Sequence, residues 1–143
     1  MGMNDLRAWI KTTFADATLA TLVGSATHIR AGWVPSDADI TAAIPAWLIY
    51  EVSQGPRAGD RMNAKQGGNI SLMLHVWAKT EVLAWQILDR VETLIGGASR
   101  NVSSGTALLN VTNAGTQTLG NDPDLHCPHL VRTYMLTGVL EIS

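Results

Sequence analysis

The chain has 143 residues, with ten basic against twelve acidic side chains and a formal net charge of -2. That length suits one domain, residues 1–143, able to bury its own core, and the charge balance gives no reason to expect nonspecific attraction to nucleic acid or membrane. Hydrophobic residues make up 46% and charged residues 15%. The first figure excludes a disordered chain, and the second, against about a quarter in an ordinary domain, predicts that copies or partners cover part of the surface.

The single cysteine, Cys127, excludes an intrachain disulfide and suits a reducing compartment. No stretch approaches the roughly 18 continuous apolar residues of a membrane helix, and no basic segment followed by an apolar run opens the chain. A soluble protein made in the cytoplasm is expected.

In chain order, Asn4 is placed to cap a first helix whose stripe is Leu6, Trp9, Ile10, Thr13 and Phe14, with Asp5, Arg7, Lys11 and Thr12 facing away. Asp16 starts a second short helix through Leu19, Leu22 and Val23, and Gly24 stops it. A short strand is predicted over 28–34, closed by Pro35, followed by a loop between Pro35 and Pro45. The branched and aromatic run 46–53 reads as a strand pairing with 70–78.

Between those strands, residues 55–69 are too long for a tight hairpin. Arg57, Arg61 and Lys65 against Asp60 make the segment locally basic, either a docking arm or a solvated tip. From Ile70 to Ala78 the residues alternate. Ile70, Leu72, Leu74, Val76 and Ala78 take one side, and Ser71, Met73, His75 and Trp77 the other. Thr80 then caps a helix bounded at its far end by Gly96-Gly97, which accept a left-handed conformation. Its apolar arc is Leu83, Ala84, Ile87, Leu88, Val91, Leu94 and Ile95, while Glu81, Asp89 and Glu92 read as a solvated face. Val82 and Trp85 sit on that face too, and Trp85 is either a partner contact or lies flat over the helix edge.

Two short strands are predicted over 106–112 and 116–119, around Asn113-Ala114-Gly115. Residues 120–124 form a turn, and 130–142 make a last strand, apolar on both faces for much of its length and so central or at an interface.

His126-Cys127-Pro128-His129, with Asp122 and Asp124 upstream, is the one cluster of metal-type ligands. Structural zinc sites pair two ligands in one segment with two elsewhere, and His28 and His75 lie in predicted strands that need not converge on it. The cluster is read as the start of a strand, and no metal and no cofactor are expected. Nucleophile elbows, phosphate-binding glycine loops and cysteine–histidine pairs in a family context are absent from the sequence. No residue is assigned a catalytic role, and the expectation is a protein that is not an enzyme.

The order of elements carries a resemblance. An amphipathic helical segment through Val23 precedes Trp33-Val34-Pro35. Pro45 introduces Trp47-Leu48-Ile49-Tyr50-Glu51, a long basic loop leads into Ile70 to Trp77, a helix covers 81–95, and an Asp-Pro-Asp turn precedes the final strand. This pattern resembles the tail terminator, or tail completion and tail-to-head joining, proteins of long-tailed bacteriophages over most of the chain, residues 98–128 matching least.

The resemblance implies an α+β domain, a mainly antiparallel sheet of four to five strands with two main helices on one face. It implies a homo-oligomeric ring, typically a hexamer, that caps the tail tube in the virion, ends tube growth and meets the head–tail connector. The partners implied are further copies, the major tail tube protein and a connector or neck protein, with no membrane and no sequence-specific nucleic acid. On this reading Met73, His75 and Trp77 meet a neighbour, Trp85 lies at or near a subunit or tube contact, and the Arg57, Arg61 and Lys65 arm docks on a ring partner. The competing readings are another neck or connector component, and a small-molecule-binding or enzymatic α+β dimer or larger oligomer whose tryptophan-lined sheet holds a ligand, which predicts a deep pocket with convergent polar groups.

Overall fold

The computed structural model describes residues 3–32, 40–41, 44–54, 70–98, 101–103, 106–107, 110–137 and 140–141. The elements in order are α1 (Met3–Thr13), α2 (Ala17–Val23), a 3-10 turn (Ala26–His28), β1 (Ile29–Ala31), β2 (Ala46–Gln54), β3 (Ile70–Ala78), α3 (Glu81–Gly97), β4 (Asn101–Ser103), β5 (Thr106–Ala107), β6 (Asn110–Asp122), β7 (Cys127–Thr137) and β8 (Leu140–Glu141). A five-stranded sheet has the order β1-β2-β3-β7-β6, and β4, β5 and β8 form a separate three-stranded sheet. The fold is α+β. The main sheet is antiparallel except at its edge, where β1 runs parallel to β2.

β3 lies in the middle because its backbone is paired on both sides, to β2 from Ala46↔Ala78 through Gln54↔Ile70 and to β7 from Ile70↔Leu136 through Trp77↔His129. Its residues alternate between buried and half-buried along the whole strand, the signature of a sheet covered by helices on one face. Ile70, Leu72, Leu74, Val76 and Ala78 point to the helices. With Leu48, Tyr50, Leu130, Tyr134 and Leu136 from neighbouring strands they meet Leu6, Ile10 and Phe14 of the first helical segment, Leu19 and Val23 of α2, and Ala84, Ile87, Leu88, Val91 and Ile95 of α3. Each fully buried aliphatic side chain there contributes about 1.5–3 kcal/mol. Phe14 closes on Tyr50 edge to face, ring centroids 5.6 Å apart.

Two caps set the helix starts. Thr80 accepts from the Leu83 N–H at 3.1 Å, and Asp16 accepts from the Leu19 N–H at 2.9 Å. Asp16 also holds Arg90 of α3 through two bonds of 2.9 and 2.8 Å, so one carboxylate both starts α2 and ties it to α3. Gly24 ends α2 at φ 93°, the left-handed conformation expected there.

The structure corrects several expectations. α1 begins at Met3, so Asn4 lies inside it. α3 continues through Gly96 and Gly97 and ends at Ala98 in an extended conformation, so the left-handed cap is not used. His28 sits in the 3-10 turn and β1 stops at Ala31. The two strands expected over 106–112 and 116–119 are instead β5 and the single long β6, because a bulge at Gly115, φ 123°, lets the strand pass through Asn113-Ala114-Gly115 without turning back. Gly120, Asn121 and Asp122 belong to β6, and the turn begins after them. The expected final strand divides into β7 and β8, which join different sheets. The basic segment 55–69 and Trp33 lie outside the described residues.

Asp16→Ala removes a cap and an ion pair together, and urea unfolding at pH 7 is expected to show a loss of about 1–2 kcal/mol. The Arg90 guanidinium and the Leu19 N–H hold the Asp16 carboxyl at about 2, below its ordinary 3.8. Its contribution is therefore present above pH 3.8 and lost as the pH falls through about 2, and the gap between wild type and variant should close over that range.

Candidate functional site

The outer face of the main sheet carries the residues singled out in β3. Register sets them in rows. Trp47, Trp77 and His129 share one, Ile49, His75 and Val131 the next, and Glu51, Met73 and Thr133 the one after. Every helix among the described residues that joins the core does so through the opposite face, so Met73, His75 and Trp77 stay half-buried without a helix over them.

The rings on this face stack. Trp77 and His129 lie 4.2 Å apart at 15°, His75 and Trp77 5.4 Å apart at 13°, and His75 and His129 5.3 Å apart at 28°. His75 Nδ1 is 3.1 Å from His129 Nε2, and His75 Nε2 is 3.4 Å from a Glu51 carboxylate oxygen. Trp77 donates its indole N–H to Asp122 at 3.1 Å. At the β1 side, the buried Trp47 lies 4.8 Å from the His28 ring and 5.3 Å from the Arg30 guanidinium. His28 in turn donates from Nδ1 to the Val23 carbonyl at 2.6 Å, since a carbonyl can only accept.

The hairpin between β6 and β7 fixes one end of this row. Asp122 Oδ1 accepts the N–H groups of Asp124 and Leu125 at 2.8 and 2.9 Å, and these bonds, led by that of Leu125, hold its carboxyl below the usual range. His126 takes φ 54° in the turn. The next residues separate: His126 is exposed, Cys127 is buried, and His129 is half-buried on the outer face. Burial, and then the nearby Asp122 charge, push the Cys127 thiol up to about 11, so it is no nucleophile at neutral pH. Among the described residues, no group of three or more His, Cys, Asp or Glu could hold a metal ion. His75, by contrast, does converge on His129, a meeting that its place in a strand did not require.

Trp85 belongs to a different place. It lies on α3, which packs on the inner face, with its ring 5.9 Å from the Arg132 guanidinium and its N–H directed to Glu81 at 3.5 Å. Arg132 is buried on the helix side of β7 and donates to the Thr116 hydroxyl at 2.7 Å and the Leu88 carbonyl at 3.0 Å. Glu92 stands 3.8 Å from it and accepts the Tyr134 hydroxyl. Burial, then the bond to Glu92, raise the Tyr134 pKa. Glu92 is therefore part of a neutralised latch between α3 and β7 rather than a merely solvated carboxylate, and 37%-exposed Trp85 roofs the latch while keeping free ring surface beside Val82, 68% exposed.

A cavity of about 330 Å³ opens at the edge of β2, lined by Arg7, Ala31, Gly32, Tyr50, Glu51 and Val52. No helix among the described residues is long and apolar enough to cross a membrane. Arg57, Arg61 and Lys65 lie outside the described residues. Sequence reasoning missed Trp47, Glu51, Asp122 and His129 as members of the outer-face cluster. The available signal was the alternation of 127–137, which puts His129 on the same face as Val131, Thr133 and Met135. No model of a known protein family matches the chain, and no curated protein matches it.

Arg132→Ala is expected to cost about 2 kcal/mol or more in chemical denaturation, because the Leu88 carbonyl and the Glu92 charge lose their partner. Trp85→Ala should cost less than about 1 kcal/mol, the worth of a half-exposed cation–π contact. Equal losses from the two would contradict the latch.

Proposed function

We propose that this chain is a non-enzymatic structural protein of the tail-terminator kind, working as a ring of copies, typically six, that caps a phage tail tube, stops its growth and offers a surface to the head–tail connector. The reading rests on the resemblance in element order. The observation that carries it furthest is the outer face of β3 and β7, where Met73, His75, Trp77, His129 and Met135 form an apolar and aromatic strip on which no helix of the described residues packs. Such a strip, centred on a large aromatic with polar groups at its margin, has the composition of a protein–protein contact. The low charge content of the chain points the same way.

In this account identical neighbours cover the strip, and the freed edge of Trp85 with Val82 supplies a second contact on the helix side. The tube protein and the connector would meet opposite rims of the ring, in a virion assembled in the host cytoplasm. Another neck component would use the same surfaces, and its own absence from particles would leave tail length unchanged. A small-molecule binder is the second reading, favoured by the cavity near Arg7 and Glu51, whose size lies at the low end for ligand sites.

Light scattering of the purified chain should give a multiple of 15.3 kDa. Met73→Asp, a charge placed in the strip with the fold intact by circular dichroism, should weaken association roughly tenfold or more. Particles assembled without the protein should carry tails of uncontrolled length. Normal tails in its absence would remove the terminator role, and an unaltered mass in Met73→Asp would remove the strip as the contact.

A further inference from the structure

The imidazole pair on the outer face has one feature that packing does not require. His75 Nδ1 and His129 Nε2 face each other at 3.1 Å, a hydrogen-bond distance that only one proton can occupy. With one proton between them the contact is favourable. With both nitrogens protonated, two N–H groups would point at each other, and the rings must move apart.

We infer that His75 and His129 form a one-proton pair that makes the outer face sensitive to pH, the uptake of a second proton breaking their contact and adding a charge to the strip. The neighbours decide which proton is held. When His75 carries both protons it donates Nε2–H to Glu51 on β2, 3.4 Å away, and Nδ1–H to His129 Nε2, so a further proton on that His129 nitrogen meets an N–H head on. Asp122 at the end of β6 is already engaged by two backbone N–H groups and the Trp77 indole, so it offers His129 field but few free lone pairs. The other charged or titratable groups on this side among the described residues are Arg30 and His28 beside Trp47, and Asp124, His126, Lys79 and Cys127, of which only His28 and Cys127 are buried. None of these hydrogen bonds to either ring.

His129 is the member that resists the second proton. Burial first, and then the charge of His75, hold it below its ordinary 6.5, with Asp122 opposing. For a base whose folded value is depressed, the unfolded chain binds the proton more readily. The stability due to neutral His129 is thus fully present above pH 6.5 and lost as the pH falls through the folded value. The bearing of this on assembly rests on the docking reading above: a neighbour seated on the strip would be released in acid. The pair itself does not depend on that reading.

The test is imidazole C2 hydrogen–deuterium exchange read by mass spectrometry on the full chain, which yields a titration midpoint for each histidine at any assembly size. His129 should titrate below 6.5, and in His75→Gln its midpoint should move up part of the way, since burial remains. Trp77 is stacked on His129, and a protonated imidazole quenches an adjoining indole. Indole emission should therefore fall as His129 takes its proton, with His75 beside Trp77 and His28 beside Trp47 adding their own quenching. A His129 midpoint that is the same with and without His75 would overturn the pair. Light scattering across the same pH range separates the two ideas. Coupled titration with release of copies in acid supports both, and coupled titration in a chain that stays single at every pH supports the pair while counting against the docking strip.

Discussion

The structure depends on how β3 is held. Both backbone edges are hydrogen bonded along nearly the whole strand, to β2 on one side and β7 on the other. A slip by one residue would carry Leu72, Leu74 and Val76 to the outer face and bring Met73, His75 and Trp77 under the helices. The helices enforce the choice, because only the aliphatic side fits against Ile87, Leu88 and Val91. On the outer side Trp47 and Ile49 are buried as well, whereas Met73, His75 and Trp77 are only half-buried.

Arg132 breaches that division, and its surroundings compensate for it. It stands on the helix side of β7, between Leu130 and Tyr134, where a bare cation would be costly. Thr116, the Leu88 carbonyl and Glu92 meet its donors, and Trp85 covers it. The exposed tryptophan of α3 therefore has a structural reason for its position. That does not use up its surface, since Trp85 remains 37% exposed.

The parts of the fold legible in the sequence were those governed by local rules. Strict alternation located β3 to its end residues, the side chains of Thr80 and Asp16 located helix starts, and the arc from Leu83 to Ile95 identified the buried side of α3. The parts that were not legible depend on partners distant in sequence. β6 reads as two strands because Asn113-Ala114-Gly115 has the composition of a turn, and only its pairing with β7 makes Gly115 a bulge. The parallel pairing of β1 to β2 and the placing of β8 in a second sheet have no local mark. Gly96 and Gly97 remain helical because the packed side of α3 continues to Ile95 and nothing forces an earlier stop. The site divides in the same way. Met73, His75 and Trp77 follow from alternation, whereas the arrival of His129 beside His75 comes from the register of β3 on β7, which no single segment encodes.

The molecule is a small α+β unit with one side committed to its helices and the other bearing a strip of stacked rings and thioethers. The proposed role asks that strip to receive a neighbouring copy. Hydroxyl-radical footprinting over a range of protein concentrations addresses this directly, since Met73, Trp77 and Met135 are readily oxidised when solvent reaches them. If copies cover the strip, their oxidation falls as concentration rises, with the buried core residues unmodified throughout. Oxidation of the three residues that stays constant from dilute to concentrated solution would contradict it.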